Sequence, residues 1–230
     1  MKSIFLFFII LSSPLYASSK INIDIDVQNS ENVGLCHGDE EIILGTNYRI
    51  KKTNYYSAES LLQSEWIKFN SQDFKIEKYI SSNRHSGSRI LIEEKEGDYL
   101  ISITEKKGAK PSQGRIKWNK NIIHGKQVVD YLLVNWAKLR ASETIEFDFL
   151  ATLQMRVVGF EAYISKSEGK SHWVSIRPSS IFIRMLVPSI RFKFEEGKHP
   201  VLKQYSGPYL INDGKHDEGQ DSNFYYSLSK

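Results

Sequence analysis

The stretch SSIFIRMLVPSIRFKFEEG, Ser179–Gly197, decides between three folds. It is a membrane span, a single helix, or a short helix that hands over to a strand. Pro178 and the pair Ser179-Ser180 are helix-start residues, and Ile181–Val187 is long enough for two turns. Pro188 ends that helix, because it has no N–H and fixes φ. Beyond it Ile190, Phe192 and Phe194 alternate with Arg191 and Lys193, the period of a strand. Arg184 and Pro188 interrupt the apolar run far short of the roughly 20 residues of a membrane-spanning helix. The stretch is therefore a short helix feeding a strand.

Working outward, alternation dominates. Ile21, Ile23, Ile25 and Val27 share one face and Asn22, Asp24 and Asp26 the other, which predicts a half-buried strand. Glu41–Ile50 predicts a second strand, and Ser57–Ile67 (SAESLLQSEWI) a short helix from the spacing of Leu61, Leu62, Glu65 and Trp66. Phe74–Ile80, Arg89–Glu94 and Tyr99–Thr104, divided by Ser/Asn/Gly turns, read as an antiparallel meander. A polar loop, Lys106–Gly114, and a short strand, Arg115–Trp118, follow. The strongest helical pattern is HGKQVVDYLLVNWAKLRASE, His124–Glu143. Val128, Leu132, Leu133, Trp136 and Leu139 form its apolar face, with Asp130, Lys138 and Arg140 opposite. Strands resume at Ile145–Leu150, Arg156–Ser165, His172–Arg177, Ile190–Phe194, Val201–Ser206 and Asn223–Leu228. The breaks are short and nothing resembles a linker. The expected fold is α+β, a mostly antiparallel curved sheet or incomplete barrel with one main helix and short helices packed against it.

The chain opens MKSIFLFFIILSSPLYASSK: Lys2, an apolar run from Ile4 to Leu11, Pro14, then Ala17, Ser18 and Ser19. That is the order of a secretory signal, removed near residue 17. Residues 18–230 then form one domain, of 230 − 17 = 213 residues. The removal takes Lys2 and leaves 30 basic against 27 acidic residues, a charge of +3. So small an excess argues against nucleic-acid binding, which needs a concentrated basic face. Cys36 is the single cysteine, so no internal disulfide is available and burial is its expected fate.

Three segments carry a family likeness: DYLLVNWAKLRASETIEFDFLA (Asp130–Ala151), SIRPSSIFIRMLV (Ser175–Val187) and LKQYSGPYLI (Leu202–Ile211). Over Gly125 to Leu228 the chain resembles an uncharacterised family of exported bacterial proteins. That family is similar in fold to the unclosed antiparallel barrels of periplasmic lipoprotein carriers. The resemblance implies a curved sheet wrapped around a helix. It implies no activity and transfers no functional residues.

Motifs for chemistry are sparse. Ser167-Glu168-Gly169-Lys170 fits S-x-x-K, but that chemistry needs the serine at a helix start, and Gly169 marks a hairpin turn. The acidic run Asn212–Asp221 lacks the closing bidentate glutamate of a Ca²⁺ loop and carries Lys215 among its oxygens. His37, His85, His124, His172, His199 and His216 share no metal-ligand spacing, and Cys36 and His37 point to opposite faces of a strand. Arg115, Lys117, Trp118 and Lys120 read as a charged outer strand face with an inward tryptophan. No catalytic residue, metal or cofactor is assigned.

What remains is the aromatic load, 4 Trp, 12 Tyr and 12 Phe, part of which must line the concave face of the sheet. The leading expectation is a non-enzymatic periplasmic carrier holding a lipid or other apolar envelope ligand. Leu132, Trp136, Phe160, Ile176, Met185, Phe192 and Phe194 are its candidate wall. The alternatives are an envelope interaction protein with a filled core and no ligand, and an envelope hydrolase. A Ser–His contact or paired carboxylates in a cavity would favour the hydrolase. An outer-membrane barrel ranks last, since several expected strands are short and helices interrupt them.

Overall fold

The computed structural model describes residues 19–185, 189–209, 211 and 221–229. The expected signal segment, Pro188 and the acidic stretch 212–220 lie outside them. The first half is an eight-stranded meander: β1 (Ser19–Asn29), β2 (Gly34–Leu44), β3 (Tyr48–Ser57), β4 (Ser60–Asn70), β5 (Ile76–Asn83), β6 (Arg89–Lys95), β7 (Asp98–Thr104) and β8 (Ser112–Lys117). A crossing follows, made of β9 (Ile122–Ile123), a 3-10 turn at Gly125–Gln127, α1 (Val128–Val134) and α2 (Trp136–Arg140). The second half is β10 (Ile145–Ala151), β11 (Arg156–Glu168), β12 (Ser171–Pro178), α3 (Ile181–Arg184), β13 (Ile190–Glu195), β14 (Val201–Pro208) and β15 (Asp221–Leu228).

All fifteen strands form one sheet in the order 8-7-6-5-4-3-2-1-15-14-13-12-11-10-9. Neighbours in sequence are neighbours in space, and β1 pairs antiparallel with β15. The order is thus that of a sequential barrel opened at one seam, between β8 and β9. The edges still approach each other there: a Cβ on Gly114 of β8 would stand 2.5 Å from Met155 Sδ, just before β11. The polypeptide passes inward at this seam, so the crossing becomes the plug of the barrel.

The sidedness of the strands follows their alternation. Ile25 and Val27 of β1 are buried and Asp24 and Asp26 exposed, as the pattern predicted. Outward positions elsewhere carry Lys52, Lys68, Lys78 and Glu93. The outward positions named here are thus charged, unlike the lipid-facing apolar band of a transmembrane barrel. No helix among the described residues is long and apolar enough to cross a membrane.

Several expectations need correction. Among the described residues, fifteen strands against three short α-helices make the fold mostly β, rather than α+β. Ser57–Ile67 is the end of β3, a turn and the start of β4. A bulge there pairs Tyr55 with Gln63 and Tyr56 with Leu61, leaving Leu62 as the extra residue, and the resulting adjacent leucines imitate helical spacing. Glu41–Ile50 divides into the end of β2 and the start of β3, with Gly45 in the turn between them. The main helix is interrupted at Asn135 (φ −95°, ψ 13°). Asp130, expected on its solvent face, is buried. The opening stretch is a helix feeding a strand within the described residues, Ile181–Arg184 and then Ile190–Glu195.

Candidate functional site

Both ends of the barrel are stoppered. At one end α1 and α2 cross the opening. Gln127 Nε2 donates to Phe74 O (2.7 Å) in the β4–β5 turn, and Tyr131 OH donates to Glu146 O (3.0 Å) at the start of β10. The Trp136 ring packs on Phe194 near the end of β13 (5.2 Å between centroids). At the other end the chain leaving β14 turns inward. Tyr209 and Ile211 are buried, and Tyr209 OH lies 3.8 Å from Cys36 Sγ at the start of β2.

Between the stoppers the interior is polar on one side. The plug presents Lys126 and Asp130, one turn apart, and the sheet answers each with the opposite charge. Lys126 Nζ lies 2.6 Å from Glu65 Oε2 on β4 and 3.9 Å from Glu40 Oε2 on β2. It also donates to Thr53 Oγ1 (3.0 Å), which in turn donates to Glu40 Oε2 (2.8 Å). Tyr79 OH donates to Glu65 Oε1 (2.7 Å). Asp130 is clamped by Arg49 and Lys51 of β3, and Lys51 Nζ reaches Lys126 O as well (3.2 Å). Three acids thus meet three bases.

The electrostatics follow from burial. Burial alone would push the Glu65 carboxyl up, but the Lys126 ammonium and the Tyr79 hydroxyl hold it below its usual value. Lys126 is likewise penalised by burial, yet Glu65 and Glu40 raise it. His124 is buried against the Tyr79 ring at 4.2 Å, where burial and then Lys126 outweigh the attraction of Glu65. Burial pushes it down to about 4, so it is neutral near pH 7. These carboxylates are paired, but with a lysine, and neither lines either of the surface depressions described below.

The other side of the interior is aromatic. Of the seven expected wall residues, Leu132, Phe160, Ile176, Phe192 and Phe194 are buried and Trp136 is half-buried. Phe160 meets Phe147 and Phe149, Phe192 meets Tyr205, and Trp136 and Phe192 both meet Phe194. These rings pack on one another. Met185 is apart from them, 77% exposed beside α3.

This architecture is similar over almost its whole length to that of a solved structure, a beta-barrel-like protein of domain of unknown function DUF1849 from Brucella abortus. The match covers 94% of this chain and 97% of that one, with a TM-score of 0.50 and 8% identity. The chain is β-barrel-like. At that identity the likeness shows the fold alone. No family model matches the chain, and no curated protein matches it.

Two depressions mark the outside. One, of about 150 Å³, lies among Asn121, Glu146, Asp148, Gly159, Phe160 and Ser179 beside the seam. The other, of about 420 Å³, lies where α2 meets the β11–β12 hairpin. Leu139, Arg140, Ser142, Ile164, Ser165, Lys166 and Ser167 line it. Beside it Ser167 Oγ is 2.9 Å from His172 Nδ1, and His172 Nε2 is 3.3 Å from Glu196 Oε2. Sequence reasoning missed this cluster, because Ser167 and His172 become opposite neighbours only through the register of β11 and β12. Ser167 is also the serine of the S-x-x-K pattern, but the recorded partner of its hydroxyl is His172, and Gly169 occupies the turn (φ +58°). Among the described residues no three His, Cys, Asp or Glu side chains converge as metal ligands.

Proposed function

We propose that this is a non-enzymatic binding protein of the bacterial cell envelope that works through its outer surface. The single observation that carries the reading is the filled interior. A carrier of acyl chains needs an apolar cavity open to solvent, usually some 300–1,000 Å³. Here the concave face is occupied by the plug, by the Lys126–Glu65 and Asp130–Lys51 pairs, and by stacked aromatic rings. The larger depression has a fitting size, but its lining of cations and serines is wrong for an acyl chain. Export to the periplasm is supported by Lys2, the apolar run Ile4–Leu11 and the small residues at Ala17–Ser19. A lipid inside the barrel would require the plug to leave, exposing six buried or half-buried charges.

Native mass spectrometry of the chain purified from a periplasmic extract without detergent, with organic extraction of the same sample, tests this. The expected result is the apo mass, unchanged after incubation with envelope lipids. A discrete adduct that extracts into organic solvent would restore the lipid carrier. Absence of the chain from the periplasmic extract would remove the compartment.

A further inference from the structure

We infer that α3 and the lip of the barrel around it dock on an anionic phospholipid surface. The inference rests on the reading that the protein works through its outer surface, and it names the partner which that surface meets.

Two features of the outside stand apart from the filled interior, at opposite ends of the barrel. The Ser167–His172–Glu196 chain, beside the β11–β12 hairpin, has the elements of a hydrolase but not the access. His172 is buried, does not line the depression, and has the Arg140 guanidinium within 3.2 Å of both ring nitrogens. A catalytic imidazole must hand its proton on to the leaving group, and no substrate atom can reach this one.

The other feature is α3, in the connection from β12 to β13. It is an amphipathic turn of helix set the wrong way round for water. Its polar side faces the barrel. Arg184 donates from Nε to Pro178 O (2.5 Å) and from Nη2 to Ser179 O (3.2 Å), and it pairs with Glu161 on β11 (2.9 Å). Its apolar side faces out. Met185 stands four residues from Ile181 and three from Phe182, on one face, and the three are 77%, 67% and 73% exposed. Leu153, in the neighbouring β10–β11 connection at the same end, is exposed too. Single exposed apolar side chains are ordinary, but a group of them held outward by an anchored arginine marks an interaction site.

Charge selects the partner. Between Asp148 and Glu161, and again between Glu168 and Glu195, the chain holds no acidic residue. Those stretches supply Arg156 and Arg191, both exposed and without a carboxylate partner among the described residues. Arg177 and Arg184 stand beside them and share Glu161. Across the seam, where Gly114 approaches Met155, the β7–β8 loop adds exposed Lys106, Lys107 and Lys110 against Glu105. The acidic run Asn212–Asp221 connects β14 to β15, beyond this lip. An apolar tip flanked by cations suits anionic lipid: the tip enters the boundary between headgroups and acyl chains, and each nearby cation strengthens binding severalfold. Size agrees. A standard protein interface takes roughly 20–30 residues a side, whereas this tip offers four apolar side chains, and a bilayer needs no matching groove. Such contact is reversible, so the chain still enters a detergent-free extract without lipid.

Co-sedimentation of the full mature chain with phosphatidylcholine vesicles, with and without phosphatidylglycerol, tests this. The expected result is binding that needs phosphatidylglycerol and weakens with added salt. Phe182→Ser combined with Met185→Ser should lower the partition coefficient at least tenfold, and Arg156→Gln combined with Arg191→Gln severalfold. Val134→Ser, at an exposed position of α1 at the opposite end, should leave it unchanged. All five positions are exposed, so these variants should keep the unfolding midpoint of the parent chain. Equal binding to phosphatidylcholine alone, binding that survives the Phe182 and Met185 changes, or no binding to either vesicle overturns the inference. In the last case, a dimer in analytical ultracentrifugation that Phe182→Ser dissolves would give the tip to a second copy instead. Failure here beside an apo native mass removes only the membrane. A lipid adduct that the chain with both serines still carries lies inside the barrel and removes the outer-surface reading itself.

Discussion

The two halves of the sheet fill the same barrel by opposite means. β1–β8 turn Glu40, Lys51, Thr53, Glu65 and Tyr79 inward, a polar wall keyed to Lys126 and Asp130 of the plug. β10–β15 turn Phe147, Phe160, Phe192, Phe194 and Phe224 inward, against Leu132, Trp136 and Leu139. An aromatic wall gives area but little positional information, because apolar contacts are non-directional. A charge-paired wall gives little net stability, since desolvation offsets most of the attraction, but it penalises any shift of register. We read the polar half as fixing where the plug sits and the aromatic half as holding it there.

Putting methionine at two positions of the plug, one in the charge-paired cluster and one in the apolar core, breaks the comparison most directly. Lys126→Met leaves Glu65 and Glu40 buried without a counter-charge, and denaturant unfolding should show a loss of about 3–5 kcal/mol. Leu132→Met, at a fully buried position of the plug, should cost less than ~1.5 kcal/mol. Equal losses would contradict the division of roles.

Acid sharpens the comparison, with an effect between those two. His124 folds with its pKa lowered to about 4 from 6.5. Between those values the unfolded state binds more protons, so stability is complete above pH 6.5 and falls as pH drops toward 4. A gap of this size is worth about 3 kcal/mol. Glu65, also lowered, adds a further loss below its ordinary value of 4.5. Unfolding midpoints measured from pH 7 to 4 should show this decline. His124→Gln should flatten its upper part, and a decline unchanged in that variant would place the titrating group elsewhere.

How much of this was legible follows the same divide. The aromatic half was readable from alternation alone: Phe147, Phe192 and Phe194 fell on the buried side of strands whose positions the pattern gave closely. The polar half was not. Lys51 and Glu65 occupy inward positions of β3 and β4, where alternation leads one to expect apolar residues, and Asp130 looked like a helix's solvent face. Their partners are 79 and 61 residues away in sequence, so no local spacing announces the pairing. The bulge at Leu62 hid β4 in the same way, since a register shift lies in the pairing of two strands and not in either one. The Arg140–His172–Glu196 cluster likewise joins α2, β12 and the turn after β13 only in the folded chain.

Hydrogen exchange tests the central claim most directly, by comparing the amides of α1 with those of β3 and β4. The filled-barrel account predicts that residues 128–134 open only with the sheet, at the same free energy as Thr53 and Ile67. Fast exchange across α1 beneath a protected sheet would mean that the plug leaves on its own. It would contradict the account and return the interior to the lipid carrier.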